Sequence, residues 1–282
     1  MRWLRMVSFI LIMCFVFSFP LVFAQNKGAY LGELTWPEAK NKLKEAPIVI
    51  IPFGAGAKEH GPHLPMNADF KVMDYLCQKA VSALPVIVAP PIQHGWFPAF
   101  RDFPGTEIAD AHVFQNYILE IAQSLIRCGT KRIVFLNTGI FKATGLPISI
   151  VARKIRVEKG IPTLVVSWDD LENKEVYSLQ EQKIGGHADE IETSIHLFLQ
   201  PDLVQMEKAV TDYGNRVTQN HYPGYKPGLF SLNPKDPAYS ATGLIGDPTL
   251  ATKEKGEKAL EIMTKNWLRA LTEFAKTPLS KN

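Results

Sequence analysis

The sequence predicts an α/β fold in which a mostly parallel sheet is sandwiched by helices. Three observations carry the prediction. Short β-rich apolar runs alternate with longer stretches of helical period, the pattern of strands joined by crossover helices. Two of those stretches keep an apolar stripe on one face, as helices covering a sheet do. The length, 282 residues, is enough to bury a full core.

Taken in order, residues 1–24, MRWLRMVSFILIMCFVFSFPLVFA, combine a cationic start, an apolar stretch from Met6 and a Val22-Phe23-Ala24 end. They read as a secretory signal peptide cleaved after Ala24, which makes the mature chain exported, periplasmic or extracellular. The other reading is an uncleaved anchor, since Met6 to Ala24 is long enough to span a bilayer. Residues 25–282 are expected to form a single α/β domain. Its strands are Pro47 to Phe53, Pro85 to Ala89, Arg132 to Asn137 and Thr163 to Trp168. Asp69 to Leu84 forms a helix with Val72, Met73, Leu76, Cys77, Ala80, Val81 and Leu84 on its buried face. Asp110 to Cys128 forms another, burying Val113, Phe114, Tyr117, Ile118, Ile121, Ala122 and Leu125. Each opens with an aspartate suited to capping the free N–H groups of the first turn. Cys77 and Cys128 therefore read as core residues, with one disulfide as an option in an oxidising compartment. Residues 201–250 are dense in Gly, Pro, Asn and Tyr and read as a long ordered excursion or an oligomer contact. A last helix runs from Pro248 to Ala275.

Charge excludes some partners. Lys and Arg number 31 against 28 Asp and Glu, and loss of residues 1–24 removes Arg2 and Arg5, leaving a net charge near +1. That is no footprint for nucleic acid or an anionic membrane. The expected partner is a small-molecule ligand or substrate.

Ligands of an open parallel sheet bind beyond the carboxyl ends of its strands. The stretch after the first strand, AGAKEHGPHLPMNAD (Ala55 to Asp69), holds two histidines, two acids and a lysine. In an extended segment Lys58 and His60 point one way and Glu59 the other. A carboxylate at 58 with His60 and Asp69 would make an oxygen and nitrogen ligand set for zinc or manganese. The residue present is lysine.

GAGAKEHGPHLPMNAD resembles the creatininase family signature Gly-x-x-Glu-x-His-Gly-x-His-Leu-Pro-x-x-x-Asp. Three more stretches resemble that family's motifs in the same order: FRDFPGT (Phe100 to Thr106), GGHADEIETS (Gly185 to Ser194) and GLIGDPTLATKEKGEKAL (Gly243 to Leu260). The resemblance covers about Trp36 to Leu271. It implies the family's three-layer fold, a homo-oligomer, and an amidohydrolase that opens small cyclic amides or related C–N bonds with water bound to a pair of divalent metals, zinc or manganese. It assigns metal positions to His60 and Asp69 and active-site positions to His187 and Glu192.

The same carry-over shows departures. Lys58 replaces a glutamate ligand. In LNTGIFKATG, Asn137 is kept, Gly139 replaces a histidine ligand and Phe141 falls where creatininase itself has glutamate. Ala99 and Phe100 replace a Glu-His pair. Two of five metal-ligand positions remain, fewer than the three protein ligands of a catalytic zinc site, so at most one weakly held ion is expected. Lys58 then either lies against Asp69 or Glu192 as an internal cation or swings to solvent. Three functional readings follow. One is a hydrolase using His187, Glu192 and Lys58 with His60 and Asp69; the others are a non-catalytic ligand-binding relative and a scaffold within an oligomer. His94, His112 and His196 read as loop or helix-surface residues.

Overall fold

The computed structural model describes residues 27–139, 141–213, 232–235 and 239–279, with the side chains of 141–143 outside the description. The expected signal peptide and much of the 201–250 segment therefore lie outside the described residues. Among the described residues five parallel strands form one sheet in the order β1-β3-β2-β4-β5: β1 (Ala29–Tyr30), β2 (Val49–Phe53), β3 (Ile87–Val88), β4 (Ile133–Asn137) and β5 (Thr163–Ser167). The central pair runs in register from Val49 opposite Ile133 to Phe53 opposite Asn137. All ten of these residues are buried, which is why both strands read as unbroken apolar runs.

Alternation along β2 divides the core. Val49, Ile51 and Phe53 face one layer with Leu43 of α1 (Trp36–Glu45), Phe114, Ile118 and Leu125 of α3 (Ala111–Arg127), and Ile148, Val151 and Ile155 of α4 (Phe141–Lys159). Ile50 faces the other layer with Val72, Leu76 and Ala80 of α2 (Ala68–Ala83), Ile191 and Ile195 of α7 (Glu190–Leu199), and Leu260, Met263 and Trp267 of α8 (Lys253–Phe274). Short helices α5 (Trp168–Leu171) and α6 (Lys174–Tyr177) follow β5. Because α2 and α3 cover opposite faces, the chain reverses its winding between β2 and β4, and a crevice opens there at the strands' carboxyl ends. Gly256 sets the α7–α8 distance: a Cβ on it would sit 1.9 Å from the Ser194 carbonyl oxygen.

Several expectations need correction. Asp110 caps α3 by accepting from His112 N and Val113 N, but Asp69 lies inside α2 and turns its carboxylate to side-chain partners. Val113 and Tyr117 are 62% and 52% exposed, because the stripe of α3 is wider than the sheet it covers. Cys128 ends α3 exposed, and both Cys77 and Cys128 are free thiols. The last helix starts at Lys253, after a 3-10 turn at Pro248–Leu250, with Thr252 as its cap. Strand β1 and helices α1, α4 and α7 are further elements. Among the described residues no helix is long and apolar enough to cross a membrane.

Candidate functional site

The crevice between β2 and β4 is filled by side chains from the loop after β2 and the turn before α7. Lys58 N donates to Met66 O at 3.0 Å, closing the first loop on itself and directing Lys58 inward. Lys58 Nζ lies 2.8 Å from Asp69 Oδ2, with the two side chains 1% and 3% exposed. The ammonium also stands 5.3 Å from the Phe100 ring centroid and 6.0 Å from that of Phe97, a distance at which ring faces attract a cation. Burial pushes the Asp69 carboxyl up, and Lys58 with His60 outweighs it, holding the group well below the usual carboxylate range.

His60 completes this half. Its Nε2 is 3.0 Å from Asp69 Oδ1 and its Nδ1 is 2.8 Å from Lys58 O. The tight turn at Gly61, φ +69°, breaks the alternation expected of an extended segment, so Glu59 reaches the same cluster rather than the opposite side. His187 Nε2 is 3.0 Å from both Glu59 Oε2 and Glu59 O. Burial raises the Glu59 carboxyl, and His187 opposes that most strongly, leaving it below its ordinary range. Burial likewise lowers His187, and the Glu59 carboxylate more than compensates, so the imidazole is raised. Gly243, φ +67°, lets the chain pass over the Glu59 carboxylate, since a Cβ there would meet it at 2.4 Å.

His187 is aimed by backbone on both sides. It pairs with Ile245 through N–H and C=O, and the next residue, Ala188, holds the left-handed conformation at φ 49°, sparsely populated for a residue with a Cβ. Ala188 N donates to Glu192 Oε2 at 2.5 Å, and that oxygen is 3.9 Å from His187 Nδ1. The His187 ring lies 4.4 Å from Phe100 and 5.0 Å from His60, centroid to centroid. Phe100 thus lies against both His187 and Lys58.

Two further histidines stand behind this cluster. His63 is fully buried; its Nε2 is 2.7 Å from Thr193 Oγ1, and burial pulls the ring down to about 4. His196 is not on the helix surface as expected. It is 2% exposed, Gln200 Nε2 donates to its Nδ1 at 3.1 Å, and burial pulls it down to about 3. His94 and His112 do lie at the surface. A second ionic cluster braces the turn before α7: Lys255 Nζ is 2.6 Å from buried Glu190 and 2.5 Å from Glu181.

The sequence-predicted residues Lys58, His60, Asp69, His187 and Glu192 are therefore brought together, with Lys58 against Asp69. Glu59, His63, Thr193 and the stacking role of Phe100 escaped sequence reasoning. The Gly61-Pro62 turn was the available signal that strand alternation fails there. Gly139 follows β4 at the same crevice, and a Cβ on it would point to within 3.4 Å of Asp69 Oδ2. The Phe141 side chain lies outside the described residues.

Among the described residues, the donor set does not fit the metal pair that the motifs imply. Both His60 nitrogens have oxygen partners, Lys58 O on Nδ1 and Asp69 Oδ1 on Nε2. Lys58 occupies Asp69 Oδ2, and Glu192 is engaged by Ala188 N. Among the described residues no three His, Cys, Asp or Glu side chains converge as a metal site requires. What the arrangement offers is a fixed internal cation beside Asp69 and an imidazole, His187, able to hold or pass a proton between Glu59 and Glu192.

A protein-family model described as creatinine amidohydrolase matches residues 32–271. Creatinine amidohydrolase of Pseudomonas putida is 27% identical over 265 residues, covering 88% of this chain and 98% of that protein. The 3-dehydro-scyllo-inosose hydrolase of Thermotoga maritima is 26% identical over 84% of this chain and 80% of its own. The mycofactocin precursor peptide peptidase of Mycolicibacterium smegmatis is 27% identical over 75% of this chain and 79% of its own. Among solved structures, a manganese creatininase superposes with a TM-score of 0.73 at 26% identity, over 89% of this chain and 100% of that one.

Proposed function

The chain belongs to the creatininase family of hydrolases, and from that premise we propose that it is an exported member whose two-metal centre has been replaced by an internal cation, Lys58. The observation that carries this reading is the 2.8 Å contact between Lys58 Nζ and Asp69 Oδ2, buried from solvent on both sides. An ammonium at that point satisfies the charge of Asp69 as an ion would, but it cannot acidify a water. The amidohydrolase frame remains: His187, buried, and Glu192, 19% exposed, stand 3.9 Å apart at the positions that the resemblance assigns to the active site. Among the described residues, metal-bound water, the family's nucleophile for C–N cleavage, has no ligand set. Relatives are named for creatinine, an inosose and a peptide, so the frame alone fixes no substrate. We read the chain as a non-catalytic relative that keeps the fold to bind a small molecule. Export rests on residues 1–24.

The test is elemental analysis of protein recovered from the exported fraction and dialysed, alongside the triple variant Lys58→Glu, Gly139→His, Phe141→Glu. The parent is expected to retain far less than one zinc or manganese per chain, and the variant distinctly more. The ligand geometry must survive to within about 1 Å for the variant to bind. A parent that keeps one or two ions per chain, or that hydrolyses creatinine when manganese is added, returns the hydrolase reading to first place.

A further inference from the structure

The strand ends carry a second concavity beside the closed centre. A groove of about 460 Å³ runs between the segment after β3 and the start of α3, with Pro91, Gln93, His94, Val113 and Tyr117 in its walls. That volume is in the range of small-molecule sites. Val113 and Tyr117 belong to the apolar stripe of α3, yet the described residues leave them uncovered. At its inner end the groove shares Ile92, His94 and Phe114 with a cavity of about 10 Å³ that also touches Phe97, Asn137 and Gly139. This inner cavity admits about one water-sized atom.

Asn137 supplies the reason for an occupant. It is 1% exposed, and its Oδ1 accepts from Gly139 N at 3.2 Å. Its Nδ2 has no partner among the described residues, and a buried donor left unpaired is costly. An acceptor atom placed in the cavity would give that donor a partner. At the rim, His94 Nε2 pairs with Glu107 at 2.8 Å, and no Asp, Glu, Lys or Arg is among the described residues lining the groove, which suits a neutral guest.

We propose that groove and inner cavity form one binding site for a neutral small molecule with a planar apolar body and a terminal carbonyl oxygen. The oxygen enters the inner cavity and accepts from Asn137 Nδ2, while the body lies along Val113, Phe114 and Tyr117. The proposal rests on the closed-centre reading in one respect, that no metal takes part in binding.

Benzamide has the required ring and carbonyl; toluene has the ring alone. Titrated into the dialysed full chain and followed by amide NMR shifts, benzamide is expected to bind saturably in the millimolar range, at least about fivefold tighter than toluene, the worth of one net hydrogen bond. Val113→Arg puts a charged chain on an exposed wall without touching the core, and should weaken benzamide at least about tenfold. Absent saturation, equal binding of toluene, or indifference to Val113→Arg each overturns the proposal. So does a concentration-dependent dimer that Val113→Arg dissolves, which would assign the groove to a second copy. Metal content measured on the same sample judges the closed-centre reading separately, since tightly held ions would sink that reading and leave the benzamide result to stand or fall alone.

Discussion

Two lysines in this molecule face buried carboxylates, and they do different work. Lys255 Nζ contacts Glu190, Glu181 and the Leu250 carbonyl, and its side chain is 17% exposed. Glu190 also accepts from Glu181 N and Gln182 N, so the backbone would hold its charge without the lysine. Lys58 is 1% exposed, its other neighbours include the rings of Phe97 and Phe100, and among the described residues Asp69 has Lys58 and His60 as the partners of its side-chain oxygens. The first lysine ties a turn to α8; the second is the counter-charge on which a buried acid depends. The difference teaches that a buried ion pair is judged by what its carboxylate would have left once the cation is gone.

The most severe way to break that comparison is Lys58→Met. It leaves Asp69 uncompensated in a dry site and is expected to cost about 3–5 kcal/mol of stability by urea unfolding. Adding Asp69→Asn should recover much of the loss, because removing both charges is far cheaper than orphaning one. Lys255→Met should cost less, about 1–2 kcal/mol, since Glu190 keeps its backbone donors. Equal costs for the two single changes would erase the distinction drawn between them.

A buried acid with no cation paired to it among the described residues sharpens the same point. Burial and the nearby Asp189 push the Glu172 carboxyl up to about 8, against the opposing hydrogen bond from Trp168 Nε1 at 2.8 Å. Its ordinary value is about 4.3. Between those two values the folded chain holds a proton that the unfolded chain has released, so Glu172 removes stability as pH rises through that window. Glu172→Gln should flatten that decline while leaving stability near pH 4 almost unchanged. Unfolding midpoints for the two proteins that run parallel from acid to about pH 8 would show that Glu172 is not held protonated.

The layers of the fold were legible because burial on both sides of a strand leaves a mark in composition. Val49 to Phe53 and Ile133 to Asn137 read as strands, and they form the centre of the sheet. Strand β1 was not legible: two residues paired with β3 carry too little pattern to be seen. The stripe of α3 was legible as a stripe, but its width relative to the sheet was not, and Val113 and Tyr117 stand uncovered for that reason. At the site, Lys58, His60, Asp69, His187 and Glu192 could be picked from their motifs. Glu59 could not, because alternation assumes an extended chain and Gly61 turns it. His196 was misplaced because a single polar residue on a helix carries no sign of which neighbours will cover it.

The sequence by itself determined the alternation of strands and helices, the family frame from its four ordered motifs, and a lysine and a glycine at positions 58 and 139, where the resemblance implies a carboxylate and an imidazole. Local period and residue identity suffice for those. Only the tertiary structure decided that Lys58 turns inward to Asp69 rather than out to solvent, and that His187 sits between Glu59 and Glu192. Those contacts join residues up to 128 positions apart. They follow from the winding reversal between β2 and β4 and from close backbone approaches at Gly243 and Gly256. Such distances are set by how whole layers pack, which no short stretch of sequence records.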